Sequence, residues 1–348
     1  MRKTIMFNML KNLRQIEGVN ESVISTFLMY VLTAPLECAL ALTTSYVLRE
    51  STDLTQLVVG LKVLSAPLKS LQSIVLLDLT PLFELNVLVN RGVGSIDWDV
   101  EKKNRTQLDT IEVDDQKLYD ACTKVYNNGR SLGFRYPRMN LSKYINTRWE
   151  WSPSGSVHSD YPADAKYIAK NYRHRSKFVT LSSMNKKHIM KMFNREPAMK
   201  AWPSVKYEWG KERAIYGVDL TNTVITNFAM YRCEDVLRDR FPVGAEAEAK
   251  SVHEKVKRFA SNGETFCYDF EDFNAQHSKR SIKIALIAYY DTFEVAMSPE
   301  QKVAMEWVIK SVDKMYVMKE NKIDYTATGT LFSGWRLTTF INTVLNYA

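Results

Sequence analysis

Cysteine and histidine are scarce in this chain. Its 348 residues hold four cysteines (Cys38, Cys122, Cys233 and Cys267), far apart and without a CxxC pair, and five scattered histidines. That spacing excludes a zinc ribbon and a disulfide framework, and it points to a reducing compartment. A secretory leader is not expected. The start, Met1 to Phe7, is basic then apolar, but Asn8 and Lys11 break the run and no small-residue cleavage site follows. Residues 23–48 are rich in Val, Leu, Ala and Tyr, yet Pro35 and Glu37 stand in their middle. A membrane span would carry Glu37 near the bilayer centre at a cost of several kcal/mol. These residues are therefore expected to form a pair of buried helices broken at Pro35. Internal repeats and low-complexity tracts are absent. Acidic residues are missing altogether from Lys166 to Arg195, where nine basic residues stand (Lys166, Lys170, Arg173, Arg175, Lys177, Lys186, Lys187, Lys191 and Arg195). The whole chain carries a net charge of +8, so this block outweighs everything else. Tyr167, Tyr172 and Phe178 are interleaved with it. Cations with aromatics suit a polyphosphate backbone with stackable bases. A charge block alone is more often a solvated helical face.

An apolar content of 45% allows a real core, and the length allows two or three domains or one large multilobed one. Residues 1–90 read as mostly helical. After a break at Arg91 to Ser95, the charged stretch 98–116 reads as a surface loop or linker. A short helix over 117–127 is expected to end at Asn127-Asn128-Gly129. Residues 145–162 are polar and turn-rich, and 165–200 look helical and basic. Strands around a glycine turn are expected over 203–220, and helices over 222–240 and 245–260. A strand follows at about 265–270, then a helix at 278–296. Ser298-Pro299-Glu300-Gln301 has the chemistry of a helix start. A loop and an apolar helix, 337–348, follow.

Four segments carry possible chemistry. In the first, the apolar run Thr265 to Tyr268 delivers Asp269 at a strand end, and Asn274 follows five residues later. A carboxylate so placed can ligate a divalent cation, and an amide can read a ribose 2′-hydroxyl. Alone, the segment reads better as a helix start capped by Asp272 or Asn274. In the second, Ser333-Gly334 makes a flexible turn before an apolar helix on which Thr338 and Asn342, four apart, share one face. Solvent-facing polar residues after a flexible turn are the plain alternative. In the third, Lys206, Lys211 and Arg213 are brought round Gly210, a cluster able to neutralise triphosphate. Glu208 and Glu212 could instead pair these bases in an ordinary hairpin. In the fourth, Ser152 to Ser159 offers small hydroxyls and Gly155, which let a nucleic-acid backbone pass closely. Alone it is an ordinary loop.

Together and in this order, the segments resemble the viral RNA-dependent RNA polymerase family. Ser152–Ser159 looks like its motif G, Lys206–Ile215 like motif F, Asp269–Asn274 like motif A and Ser333–Asn342 like motif B. The wording DFEDFNAQHS and FSGWRLTTFINTVLN looks most like totivirus-like double-stranded RNA viruses of fungi and protozoa. The match spans about residues 150 to 348. The resemblance implies an α/β right-hand polymerase fold with fingers and a partial palm, preceded by a helical segment. It implies a division into 1–110 (helical extension), 111–260 (fingers with motifs G and F) and 261–348 (partial palm with motifs A and B). By the same resemblance Asp269 binds the catalytic metals, Mg²⁺ or Mn²⁺. Asn274 and Asn342 read the 2′-hydroxyl, supported by Thr338. Lys206, Lys211 and Arg213 meet the nucleotide, and Ser333 and Gly334 form the loop that moves with translocation. Ser154 and Gly155 touch the template. The basic block, read by its charge, adds Arg173, Arg175 and Lys177 as expected RNA-binding residues. The implied partners are template and product RNA, NTPs and a viral capsid protein, with no membrane, in the virion interior or host cytoplasm.

One departure stands out. The family's motif C, usually Gly-Asp-Asp on a hairpin after motif B, is not found, nor are motifs D and E or the thumb. The Asp114-Asp115 pair lacks apolar strands on both sides and reads as surface loop. Two-metal phosphoryl transfer needs carboxylates on both sides of the metals. The expectation is therefore a portion of a longer polymerase, inactive alone. The rivals are a reverse transcriptase, against which Asn274 and the Thr338/Asn342 pair argue, and a non-catalytic RNA-binding remnant. A third is an unstable fragment whose final helix would expose Leu337, Phe340, Ile341 and Leu345.

Overall fold

The computed structural model describes all residues except 73, 77, 90–94, 108–109, 111–112, 209, 239–240 and 262–272. The expected strand at 265–270, with Asp269 and Asp272, lies outside the described residues. The chain divides into two compact units, Met1–Asp97 with Val205–Ala214, and Trp98–Ser204 with Ile215–Ala348.

Apolar residues at helical spacing make the first unit helical, as expected. Its helices are Arg2–Leu13, Glu21–Thr33, Leu36–Thr44, Tyr46–Glu50 and Leu54–Gln72, followed by short turns at Thr80–Phe83 and Leu85–Val89. Asn20 starts the second helix by accepting the Val23 N–H at 3.0 Å. Pro35 separates this helix from Leu36–Thr44, where its missing N–H costs nothing. Met9, Leu13, Phe27, Leu42, Leu57, Leu61 and Leu85 are buried in one core. By length and composition, Leu54–Gln72 is the one helix among the described residues that could cross a membrane.

In the second unit, β1 (Met199–Glu208), β2 (Lys211–Val218), β3 (Met315–Lys319) and β4 (Lys322–Thr326) form a sheet in the order β2-β1-β3-β4. The tip of the β1–β2 hairpin, Val205–Ala214, belongs to the first unit. β1 and β3 are parallel, with Met199 opposite Met315 and Ala201 opposite Val317, and β4 returns antiparallel to β3. The expected hairpin at 203–220 is present. The β3–β4 hairpin was not foreseen, because its turn holds no glycine. Glu320 takes the left-handed conformation instead, at φ +55°.

The rest of the second unit is mostly helical. Ser298 and Gln301 form the expected capping box at the start of Pro299–Ser311. Ser278 caps Lys279–Phe293 by accepting the Ser281 N–H. Three expectations need correction. The charged stretch after residue 98 is a helix, Trp98–Thr106, with Asp99 and Glu101 in its first turn and Lys103 and Arg105 in its last, matching the helix dipole. The helix at 117–127 instead runs over Asp115–Ser131, through Gly129. There glycine serves close packing, since a Cβ would overlap the Val236 carbonyl oxygen. The basic stretch 165–200 is broken into short helices, Lys177–Ser183 and Lys186–Met192, joined by turns and followed by β1.

The final helix, Thr338–Tyr347, is not left bare. Leu337, Phe340 and Ile341 are fully buried, and Leu345 is half-buried. Phe340 stacks on Tyr126 at 6.0 Å and meets Tyr289 edge-on at 5.7 Å. The expected exposed apolar face is therefore covered by aromatic residues of this same unit.

Candidate nucleotide and RNA interface

Asn274 sits in the short turn Phe273–Gln276, just before the helix that Ser278 caps. This turn is clamped to residues 329–331. The Asn274 carbonyl accepts the Leu331 N–H at 2.8 Å and the Thr330 hydroxyl at 2.9 Å. The His277 carbonyl accepts the Thr330 N–H at 2.8 Å, and Ser278 pairs with Gly329. Thr330 is buried at φ +82°, a costly conformation for a β-branched residue. Its two bonds, to the Asn274 and His277 carbonyls, hold it there. The clamp brings together two segments more than fifty residues apart in sequence.

The Ser333-Gly334 turn is held against β2. Tyr216 donates its N–H to Ser333 Oγ at 3.1 Å, and Gly334 donates its own to the Tyr216 carbonyl at 3.0 Å. Trp335 Nε1 donates to Asn222 Oδ1 at 2.9 Å. Thr338 lies 2.7 Å from the Phe332 carbonyl and 2.8 Å from that of Trp335, so its hydroxyl proton is spent on the turn. Arg336 reaches back to Glu234 with its two terminal nitrogens and to Asn227 Oδ1 with Nε at 2.9 Å.

One helical turn beyond Thr338, Asn342 Nδ2 donates to Asn274 Oδ1 at 3.0 Å. His277 Nε2 lies 2.8 Å from Asn342 Oδ1. Asn274, Ser333, Gly334, Thr338 and Asn342 thus belong to one connected part of the second unit. His277 and Tyr216 also belong to it and were not foreseen, since neither falls at a motif position that the resemblance assigns.

The basic hairpin tip lies in the first unit. Lys206, Lys211 and Arg213 converge on Glu208, at 2.7, 3.9 and 3.1 Å. The Lys206 hydrogen bond, with the nearby charges of Arg213 and Lys211, holds the Glu208 carboxyl below its ordinary range. The three bases are gathered round one carboxylate, as the hairpin reading expected of Glu208. Gly210 turns the chain at φ +68°, and a Cβ there would press within 3.1 Å of Val89.

In the loop 152–159, Ser154, Gly155 and Ser156 are exposed, and Ser156 pairs with Ser176. Arg173 and Arg175 are exposed. Lys177 is placed differently. It is only 7% exposed, and its ammonium donates to the Ser156 carbonyl at 2.8 Å. Burial lowers its pKa, and its nitrogen props the loop rather than facing solvent. Arg195 is likewise withdrawn from the basic block. It grips the fully buried Asp164 with both nitrogens, at 2.7 and 2.9 Å, and Ser159 and His188 bond the same carboxylate. Burial pushes the Asp164 carboxyl up, but these bonds outweigh it and the net shift is downward. Asp164 was missed because one acidic residue beside a basic block carries no sequence signal.

Among the described residues, no group of three or more His, Cys, Asp and Glu side chains gathers to hold a metal. Asp269, the metal ligand that the resemblance names, lies outside them. The Asp114-Asp115 pair has a structural use. Asp114 caps Asp115–Ser131 by accepting the Lys117 N–H, and Asp115 pairs with Arg280.

A family model described as viral RNA-directed RNA polymerase matches residues 2–348. The probable RNA-directed RNA polymerase of Saccharomyces cerevisiae virus L-A is 49% identical over 289 residues, which are 83% of this chain and 19% of the relative. That of Saccharomyces cerevisiae virus L-BC is 38% identical over 281 residues, 80% of this chain and 18% of the relative. The probable RNA-directed RNA polymerase of Leishmania RNA virus 1 - 1 is 27% identical over 295 residues, 78% of this chain and 31% of the relative. The chain thus spans about a fifth of the length of the two yeast-virus relatives. By its sequence throughout, the chain belongs to the viral RNA-directed RNA polymerase family, with the polymerases of totivirus-like double-stranded RNA viruses as its relatives.

Proposed function

We propose that these residues form the fingers and part of the palm of a right-hand polymerase. The complete enzyme adds nucleoside monophosphates from NTPs to an RNA 3′ end on an RNA template. The observation that carries this is the Asn274–Asn342 amide pair, 3.0 Å apart, in a chain of this family. With Asn342 bonded to the Asn274 oxygen and His277 at the Asn342 oxygen, the Asn274 NH₂ is left to donate to a ribose hydroxyl. A deoxyribose would leave it unpaired, which disfavours the reverse-transcriptase reading. The Ser333-Gly334 turn, with Thr338 bracing it, borders the same sugar in this scheme. Lys206, Lys211 and Arg213 exchange the Glu208 carboxylate for triphosphate oxygens. Polymerases of this family work with divalent ions. A Mg²⁺ or Mn²⁺ ion at Asp269 would supply charge stabilisation and an activated 3′-hydroxyl. A viral capsid protein is a further partner, and the setting is the virion interior or host cytoplasm.

The complete polymerase is expected to incorporate NTPs on an RNA template and to lose this with Asp269→Ala. The purified 348-residue chain is expected to incorporate none, because Asp114 and Asp115 are committed to a helix cap and to Arg280. Incorporation by the pure chain, abolished by Asp269→Ala, would overturn the second expectation. Failure of the complete protein with RNA templates would overturn the first.

RNA binding by the chain has its own test. Each phosphate contact to single-stranded RNA contributes about 0.7 to the slope of log affinity against log salt. Arg173→Ala and Arg175→Ala should each lower that slope by about 0.7. Lys177→Met should leave the slope alone and lower stability instead, since its ammonium is buried. Filter binding across a salt series reads all three. Unchanged slopes in the arginine variants would remove them from the template path.

A further inference from the structure

An amide pair can face a sugar in two ways, and something must choose between them. With Asn342 Nδ2 bonded to Asn274 Oδ1, Asn274 has its own NH₂ left to offer. With both amides flipped, Asn274 would offer its carbonyl oxygen. The two states place opposite hydrogen-bonding characters against the same hydroxyl, and neither asparagine favours one by itself.

We propose that His277 is the positioning residue that sets this polarity. Its Nε2–H donates to Asn342 Oδ1, which sends Asn342 Nδ2 to Asn274 Oδ1 and turns the Asn274 NH₂ toward the ribose 2′-hydroxyl. The inference rests on the polymerase reading for the sugar, and on the structure for the relay. The distances are 2.8 Å from His277 to Asn342 and 3.0 Å from Asn342 to Asn274. Among the described residues, nothing bonds the Asn274 NH₂ and nothing accepts a proton from His277 Nδ1. The proton therefore belongs on Nε2, where its acceptor is.

The ring is well held. It is 6% exposed, and Phe273 meets it edge-on at 4.5 Å. Its backbone carbonyl accepts the Thr330 N–H. Burial lowers its pKa, partly offset by the Asn342 bond, which favours the neutral ring. Protonation would keep the Nε2–H and hence the same polarity. Ribose discrimination should accordingly not follow the His277 titration. His277 touches no substrate in this scheme and acts only through Asn342.

The test compares His277→Leu with His277→Gln in the complete polymerase. The leucine removes the donor. The glutamine can return an N–H to Asn342. We expect His277→Leu to lower the NTP-to-dNTP ratio of kcat/KM about tenfold and His277→Gln to restore it to within about threefold. A folded His277→Leu enzyme with wild-type discrimination would overturn the inference, as would equal losses in both variants. If the wild-type protein makes no RNA at all, the polymerase reading falls instead. The relay is still tested by ¹⁵N NMR of the 348-residue chain, with the His277 signal assigned by its loss in His277→Gln. A neutral Nε2–H ring supports it, and a proton on Nδ1 overturns it.

Discussion

Gly334→Ala is expected to destabilise the second unit by about 3 kcal/mol, at the upper end of the cost of overpacking. The added Cβ would overlap the Tyr216 carbonyl oxygen and come within 3.0 Å of the Gly217 Cα. Both neighbours are backbone, so no rotamer change relieves the clash. The Gly334 N–H to Tyr216 carbonyl bond, 3.0 Å, would be lost first, and the Tyr216 N–H to Ser333 Oγ bond would follow. Each leaves a polar group without its partner, at about 1–3 kcal/mol where it is buried. Gly155→Ala is the control. A Cβ there meets nothing within 4 Å, so its effect should stay within about 0.5 kcal/mol. Urea titration of the chain checks both, with the midpoint of Gly334→Ala falling at an unchanged slope. An unshifted midpoint would mean that the turn yields freely at Tyr216. In the complete polymerase the same variant should lose RNA synthesis further than its stability loss explains, because Thr338 and Asn342 follow directly on the displaced turn.

That turn also shows where reading the chain by itself reaches its limit. Ser333, Gly334, Thr338 and Asn342 were legible because they recur at a set spacing, and the structure connects them with Asn274. Their supports were not legible. Tyr216, Asn222 and His277 act through bonds to residues 65 to 117 positions away, and sequence spacing carries no trace of such pairings. The helical first unit was legible because apolar periodicity and capping residues are local. Gly129 misled because glycine after two asparagines is usual chemistry for a helix end, whereas here tertiary contact with Val236 sets the requirement. The stretch after Trp98 misled for the opposite reason. Its charges read as solvated loop, but Glu101 pairs with Arg105 at 3.2 Å, and Arg105 lies over the Tyr216 ring. Lys177 had the composition of a phosphate ligand and the position of a buried brace, a distinction that only packing makes.

Arg336 had no role from sequence, and its loss is expected to cost as much as that of any single residue in this unit. It stands between the Ser333-Gly334 turn and Thr338, and it holds Glu234 with two nitrogens and Asn227 with a third. Both charged side chains are about a quarter exposed, at 25% and 27%. Removing one partner of such a pair leaves the other poorly solvated, so Glu234→Gln or Arg336→Met should cost about 3 kcal/mol, the lower end for buried pairs. The double variant Glu234→Met, Arg336→Met should recover much of this, because no unpaired charge remains. The pH dependence follows from the carboxylate. Burial pushes the Glu234 carboxyl up, but the Arg336 bond and charge outweigh it and hold it below its ordinary value. Its pKa is thus lower folded than unfolded. The pair's contribution is full above the unfolded value of about 4.3 and is lost as pH falls through the folded one. Arg336, pushed above its already high pKa, stays charged throughout. Urea midpoints of the wild type and Glu234→Gln should therefore differ most near neutrality and converge below about pH 4. A difference that stays constant from pH 7 to about pH 3 would show that the carboxylate charge is not what Arg336 binds, and would leave packing of the arginine stem as the source of its effect.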